Sequence, residues 1–346
     1  MKVFRTIALT VAASIAAVAA YPCSRVVYLG ENNSTILVGR TLDWRTPIPT
    51  NLYVYPGGIA KTSMPSGPRL EWTSKYGSVL AVGYDGGVTE GINEHGLAMN
   101  GLFCKMSEYR NPVEGENVPV VSLAMMCSFF LDNFTTVDEV SQWLDTNAFA
   151  ISGEAFDGGT VSLLHWALTD AGGNTMVMEY DHGVLKTYQS RDLTVLTNDP
   201  QLPDMEAIEN YWKAKGGSHT LPGTASSPDR FVRASYFINH VPKNQPYEAA
   251  LGSLRSIMGT VSVPFGYSVQ GEPNISSTQW TSISDITGRK YYMHFADSTG
   301  MMWIDMSRLR FNPGAPILKL DTSSHSDLTG CVNDRLEKSP GFTPMW

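Results

Sequence analysis

Cys23 stands just beyond an apolar leader, and no other feature narrows so sharply what the rest of the chain can be. Lys2 and Arg5 open the sequence with positive charge, and Thr6 to Ala20 is an almost unbroken small or apolar run. Ala17-Val18-Ala19 and Val18-Ala19-Ala20 both offer the small residues at −3 and −1 that a signal peptidase needs. The run is too short and Ala-rich for a membrane anchor, which takes about 20 apolar residues. Pro22 does not suit lipidation of Cys23, which wants a small residue before it. The sequence therefore predicts that residues 1–22 are a secretory leader plus a short propeptide, Tyr21-Pro22, that is removed. The protein is then exported, periplasmic or secreted, and Cys23 becomes its first residue. The folded body is 23–346, one domain, with no linker, internal repeat or low-complexity tract.

With 42% apolar and 10% aromatic residues, that body has enough material for a sizeable core. A net charge of −8 without a basic run argues against a nucleic-acid surface. No later stretch reaches the length of a membrane span. Cys23, Cys104, Cys127 and Cys331 form an even set that would allow two disulfides in three connectivities. Cys127 sits in an apolar run and is expected to pack as a small hydrophobe.

Periodicity gives the elements. Cys23–Leu29 and Thr35–Arg40 read as a hairpin across Gly30–Asn33. Further strands are expected at Asn51–Tyr55, Ser78–Tyr84, Leu97–Phe103, Val161–Leu168, Thr175–Tyr180, Gln279–Ile283, Lys290–Phe295 and Met301–Met306. Val118–Leu131 is apolar all round and reads as a buried helix. A second helix opens at Thr136, with a capping threonine and acids in its first turn. Tyr247, Ala250, Leu251, Leu254, Ile257 and Met258 share one helical face. Strands, then helices, then strands predict an α+β body of sheets covered by helices.

Several chemistries lack their signatures: there is no phosphate-cradling Gly-rich loop, no Gly-x-Ser-x-Gly elbow and no His-Glu-x-x-His. The seven histidines are scattered with no metal-ligand spacing, and His165, in an apolar strand, reads as a satisfied core residue. Chemistry is instead concentrated at Cys23-Ser24-Arg25 and Gly39-Arg40-Thr41-Leu42-Asp43-Trp44. A thiol needs a base, and a free α-amino group, with a reference pKa near ~7.7–8.0, supplies one on the same residue. The hairpin sets Arg40 and Asp43 beside that terminus. Arg40 would favour the thiolate and Asp43 would orient the amine. An ordinary ion pair on a strand end is the alternative.

The chain resembles the choloylglycine hydrolase and penicillin V acylase family of N-terminal-nucleophile cysteine hydrolases, most of all its Gram-negative penicillin acylase branch. The resemblance rests on the two segments above, on Leu70–Ser78, Gly91–Ala98, Val195-Leu196-Thr197-Asn198-Asp199-Pro200, Leu221-Pro222-Gly223 and Asp229-Arg230-Phe231-Val232-Arg233-Ala234. It implies a four-layer αββα sandwich, no cofactor or metal, and a homo-oligomer, commonly a tetramer. It implies Cys23 as nucleophile and base, Asp43 holding the amine, Asn198 in the oxyanion hole, and Arg40 and Arg230 tuning the charge around sulfur. Phe103 departs from the Asn or Tyr common at that position and brings no side-chain donor. With Trp44 it would form an apolar wall for the acyl group. The implied activity is hydrolysis of a linear amide in a small-molecule N-acyl substrate: penicillin V, N-acyl homoserine lactones or, as an alternative, conjugated bile salts. A non-catalytic ligand-binding relative is the reading from another class.

Overall fold

The computed structural model describes residues 23–112, 116–153, 155–156, 160–267 and 276–346; the predicted leader lies outside them. Two large sheets stack face to face. The first has seven strands, in the order Val195–Leu196, Ser24–Leu29, Ile36–Trp44, Ser277–Asp285, Lys290–Phe295, Met302–Asp305 and Gly330–Cys331. The second has nine: Val184–Ser190, Thr175–Asp181, Leu164–Thr169, Ala98–Phe103, Gly87–Asn93, Ser78–Gly83, Thr50–Tyr55, Leu318–Leu320 and Glu337–Lys338.

Side chains alternate across each strand, so every strand feeds two cores. Val27, Ile36 and Val38 of the first sheet meet Leu52, Val54, Val79 and Ala81 of the second between the layers. Val26, Tyr28 and Leu37 point the other way, against helices α3 (Leu202–Ala214), α4 (Ser227–His240) and α5 (Tyr247–Val261). On the far side, Tyr53, Leu80, Val82 and Met99 pack under α1 (Leu123–Asn133) and α2 (Val137–Leu144). The order helix, sheet, sheet, helix is the four-layer arrangement expected. No helix among the described residues is long and apolar enough to cross a membrane.

The structure departs from the sequence reading in a few places. The apolar run expected as one helix from Val118 is divided: Val120–Ser122 pairs in parallel with Ala150–Ser152, and α1 starts only at Leu123. Ser122 stops the helix from extending backwards, because its side chain caps it by accepting from Ala124 N–H. Strand Gly87–Asn93 was not expected, since two glycines and Glu90 give it a weak β signature. All four cysteines are free thiols: Cys23, Cys104 and Cys127 are buried and Cys331 is exposed. Near the C-terminus, Phe342 packs on the rings of Tyr53 and Tyr55. Met345 then donates its N–H to Gly86 O (2.9 Å) and accepts from Ser122 Oγ (3.3 Å).

Candidate active site

The hairpin register pairs Ser24 with Thr41 and Arg25 with Arg40. Carried one residue further, it sets Cys23 across from Leu42 and beside Asp43. On the other side, Leu196 pairs with Arg25 and Val195 with Val26, which delivers Asn198 to Cys23. Helix α4 lies over this end of the sheet and supplies Arg230 from its first turn.

These residues interlock. The Cys23 main-chain nitrogen donates to Asn198 Oδ1 at 2.7 Å. Arg230 Nη1 donates to Cys23 O and to Ser24 Oγ, both at 2.6 Å, while Nη2 donates to Asn198 Oδ1 at 2.6 Å. Asn198 Nδ2 donates to Phe103 O at 2.7 Å. Two donors at one end and a carbonyl at the other fix which way the Asn198 amide points. The Cys23 thiol faces Asp43 O at 3.8 Å. In the uncleaved chain the Cys23 peptide N–H is held by Asn198, while Asp43, expected to hold the freed amine, lies beside it on the neighbouring strand. The Asp43 carboxylate accepts from Thr41 Oγ1 at 3.1 Å through Oδ2, and its buried Oδ1 has no partner among the described residues.

Arg40 approaches from between the sheets. Its Nη2 donates to Gly101 O at 3.0 Å, Nη1 lies 3.4 Å from Glu90 Oε2, and the guanidinium sits 4.8 Å from the Trp280 ring. Glu90 is itself fully buried and accepts from Ser282 Oγ (2.5 Å), Tyr291 OH (2.7 Å) and Asn100 Nδ2 (3.1 Å). Arg25 extends the same buried polar layer by donating to Asn100 and Thr169. Sequence reasoning gave Glu90 no role, and Arg25 none beyond its place in the Cys23-Ser24-Arg25 segment. The available signal was parity: Arg25, Arg40, Glu90 and Asn100 occupy the inward positions of their strands, where the core otherwise wants apolar side chains.

Burial sets the electrostatics. It pushes the Asp43 carboxyl up to about 6, against the opposing pull of Arg230, of the neighbouring Thr278 and Thr41 hydroxyls, and of Arg40. It lowers Arg230 to about 10, opposed by Asp43 and Cys23. Nε and Nη1 of Arg40 lack hydrogen-bond partners among the described residues, as does Asp43 Oδ1. Unpaired buried polar atoms are costly and cluster where reacting groups pass.

Cys23, Arg40 and Asp43 all line one cleft with about 740 Å³ of empty space, part of it open to solvent. Its walls are apolar: Leu42, Trp44, Ile48, Val88, Phe103 and Leu123. Trp44 and Phe103 meet edge to face, with centroids 5.8 Å apart. Every site residue chosen from the sequence thus meets at this cleft or directly behind it. Arg233, one turn beyond Arg230, instead donates to Pro222 O, Thr224 O and Thr260 O and holds loops.

A four-layer αββα body with a cysteine at the head of a first-sheet strand has the architecture of the N-terminal-nucleophile hydrolases. The chain belongs to the linear amide C–N hydrolases of the choloylglycine hydrolase family, whose family model matches residues 23–322. Penicillin V acylase of Pectobacterium atrosepticum is 34% identical over 331 residues, covering 90% of this chain and 88% of that protein. The bile salt hydrolase/transferase of Bifidobacterium longum is 29% identical over 300 residues, 80% of this chain and 92% of that one. The solved penicillin V acylase from Agrobacterium tumefaciens superposes with a TM-score of 0.85 at 36% identity, over 93% of this chain and 99% of that one.

Proposed function

We propose that this amide hydrolase works through Cys23 as an N-terminal nucleophile, freed by removal of residues 1–22 after export. The supporting observation is the lock around Cys23: its nitrogen on Asn198 and its carbonyl on Arg230, with the thiol at the edge of an apolar cleft. In the uncleaved chain that nitrogen has one hydrogen to give. The freed amine has more, and Asp43 Oδ1, which has no hydrogen-bond partner among the described residues, is an acceptor for them.

The thiol passes its proton to the α-amine, and the thiolate forms a C–S bond to the amide carbonyl. Fixed N–H donors stabilise the oxyanion, Asn198 among them, since its amide nitrogen carries a second hydrogen beyond the one given to Phe103 O. The C–N bond breaks as the ammonium protonates the departing amine. Water then attacks the thioester carbon as the amine again takes a proton; the C–S bond breaks, the ammonium returns the proton to the thiolate, and the acid is released. The apolar walls suit an aryl or aliphatic acyl group. Substrates of the penicillin V or N-acyl homoserine lactone type fit this description, and the two penicillin V acylases among the relatives support it. We further propose a periplasmic or secreted homo-oligomer, a tetramer by family resemblance, which sedimentation of the mature protein tests.

Mass spectrometry of purified protein should give a chain beginning at Cys23. Cys23→Ala should fold yet hydrolyse none of a panel of phenoxyacetyl, long-chain acyl and cholyl amides. Retained activity in Cys23→Ala, or an active chain still carrying Tyr21-Pro22, would overturn the reading.

A further inference from the structure

Behind the Asn198 arm lies a second polar cluster that the chemistry above does not use. His165, on strand Leu164–Thr169, is fully buried. Its Nδ1 lies 2.9 Å from Glu179 Oε1 and its Nε2 lies 2.8 Å from Thr197 O. A carboxylate and a main-chain carbonyl are both acceptors only, so each ring nitrogen must carry a proton to make these contacts. Glu179 also accepts from Leu202 N–H, at 3.0 Å through Oε2, at the start of α3. Cys104 is the other titratable group against the ring, and its thiol in turn lies 3.6 Å from Asp199 Oδ1.

We propose that His165 is a positioning residue: its ring, held as a double donor between Glu179 and the Thr197 carbonyl, fixes the Thr197-Asn198 arm against Cys23. Beside the Thr197 Oγ1 bond to Ser227 O and the bonds that join the Asn198 side chain to Arg230 and Phe103 O, the arm has anchors on its main chain and on Asp199. His165 takes Thr197 O, Ser227 Oγ takes Asn198 N–H at 2.8 Å, and Met106 N–H together with Cys104 takes Asp199 Oδ1. Without the first, no donor among the described residues holds the Thr197 carbonyl, and Asn198 is the next residue. Burial alone would lower the pKa of this imidazole, but Cys104 and Glu179 outweigh it and hold the group well above its ordinary value. The inference rests on the role given to Asn198 above, so wild-type activity is measured alongside; an inactive wild type defeats that role and leaves the state of His165 to be read separately.

Nitrogen-15 NMR of histidine-labelled protein reads that state directly. One imidazole should show both ring nitrogens protonated and unchanged from pH 6 to pH 9, conditions chosen to bracket ordinary histidine titration near ~6.5. A neutral ring at that site at pH 8 overturns the double donor. Kinetics read the positioning. His165→Gln should lower kcat roughly ten- to a hundredfold while KM stays within about twofold, because the acyl walls are untouched. An unchanged kcat overturns the proposal. Should His165→Gln not fold, the pair Glu179→Ala and Glu179→Gln takes its place. A glutamine can still hold the ring and should keep kcat within about threefold, whereas alanine releases the ring and should cost about tenfold. Equal kcat in the two variants overturns the proposal.

Discussion

Burial of the Asp43 carboxyl sets stability against chemistry at a single residue. With its pKa raised from 3.8 to about 6, the folded protein binds more protons at Asp43 than the unfolded chain between those values. Stability at this group is therefore full at low pH and falls as pH rises through that window, by up to about 3 kcal/mol. Asp43→Asn removes the charge and keeps the shape. It should melt a few degrees above the wild type at pH 7.5, show no gain near pH 4, and lose most of its hydrolytic rate. Thermal denaturation at the two pH values checks this, and an equal shift at both would show that the charge is not the cause. The residues readable from sequence were those whose neighbours in the chain carry the meaning: Cys23 after the apolar N-terminal run, and Arg40 and Asp43 on one strand. The places of Glu90 and His165 in the fold were not readable. Glu90 reaches Ser282 and Tyr291, and His165 reaches Thr197, through register alone, which no local pattern encodes.

The short hairpin of Ala60–Thr62 and Glu71–Thr73 shows how a single helix residue can seat an element. Asp132 on α1 is fully buried, accepts from Lys61 Nζ (3.1 Å) and Trp72 Nε1 (2.7 Å), and its carbonyl accepts from Lys75 and Tyr76 N–H. Asp132→Ala takes the carboxylate from the Lys61 ammonium, which keeps only Ser128 Oγ (3.4 Å) and the Tyr55 ring, and leaves the Trp72 indole N–H without its acceptor, which should cost about 3–5 kcal/mol in denaturant unfolding. Asp132→Asn retains acceptors and should cost less; equal losses would place the effect in packing. Helix α2 was legible down to its cap, because Thr136 and Glu139 form the capping box the sequence spells out. The start of α1 was not legible, since an all-apolar run carries no phase and only the pairing of Val120–Ser122 with Ala150–Ser152 settles it.

Across the whole molecule, sheets covered by helices followed from the run of strands and helices and the four-layer order from the family resemblance, but the neighbours within each sheet did not. Strand Ile36–Trp44 lies between Ser24–Leu29 and Ser277–Asp285, a partner more than two hundred residues away. Strand Thr50–Tyr55 likewise pairs with Leu318–Leu320. The C-terminal segment links two walls of the cleft, because Met345 bonds both Gly86, in the turn beside Tyr84 and Gly87, and Ser122, next to Leu123 and Ala124. Deleting Thr343–Trp346 should therefore raise KM severalfold for long apolar acyl amides while leaving kcat for the smallest acyl groups nearly unchanged. A uniform loss on all substrates, with a matching fall in melting temperature, would mean the segment serves stability alone.

That pairing of early and late strands has a consequence for synthesis. A ribosome that has made the Cys23 hairpin has not yet made the strand that flanks it, nor the residue that ties the cleft walls together. Until Ser277–Asp285 emerges, Ile36–Trp44 is an open edge, and the segments around Cys23 have no finished sheet to rest on. Cys23 is thus among the first residues translated, while the sheet around it is among the last parts to be completed.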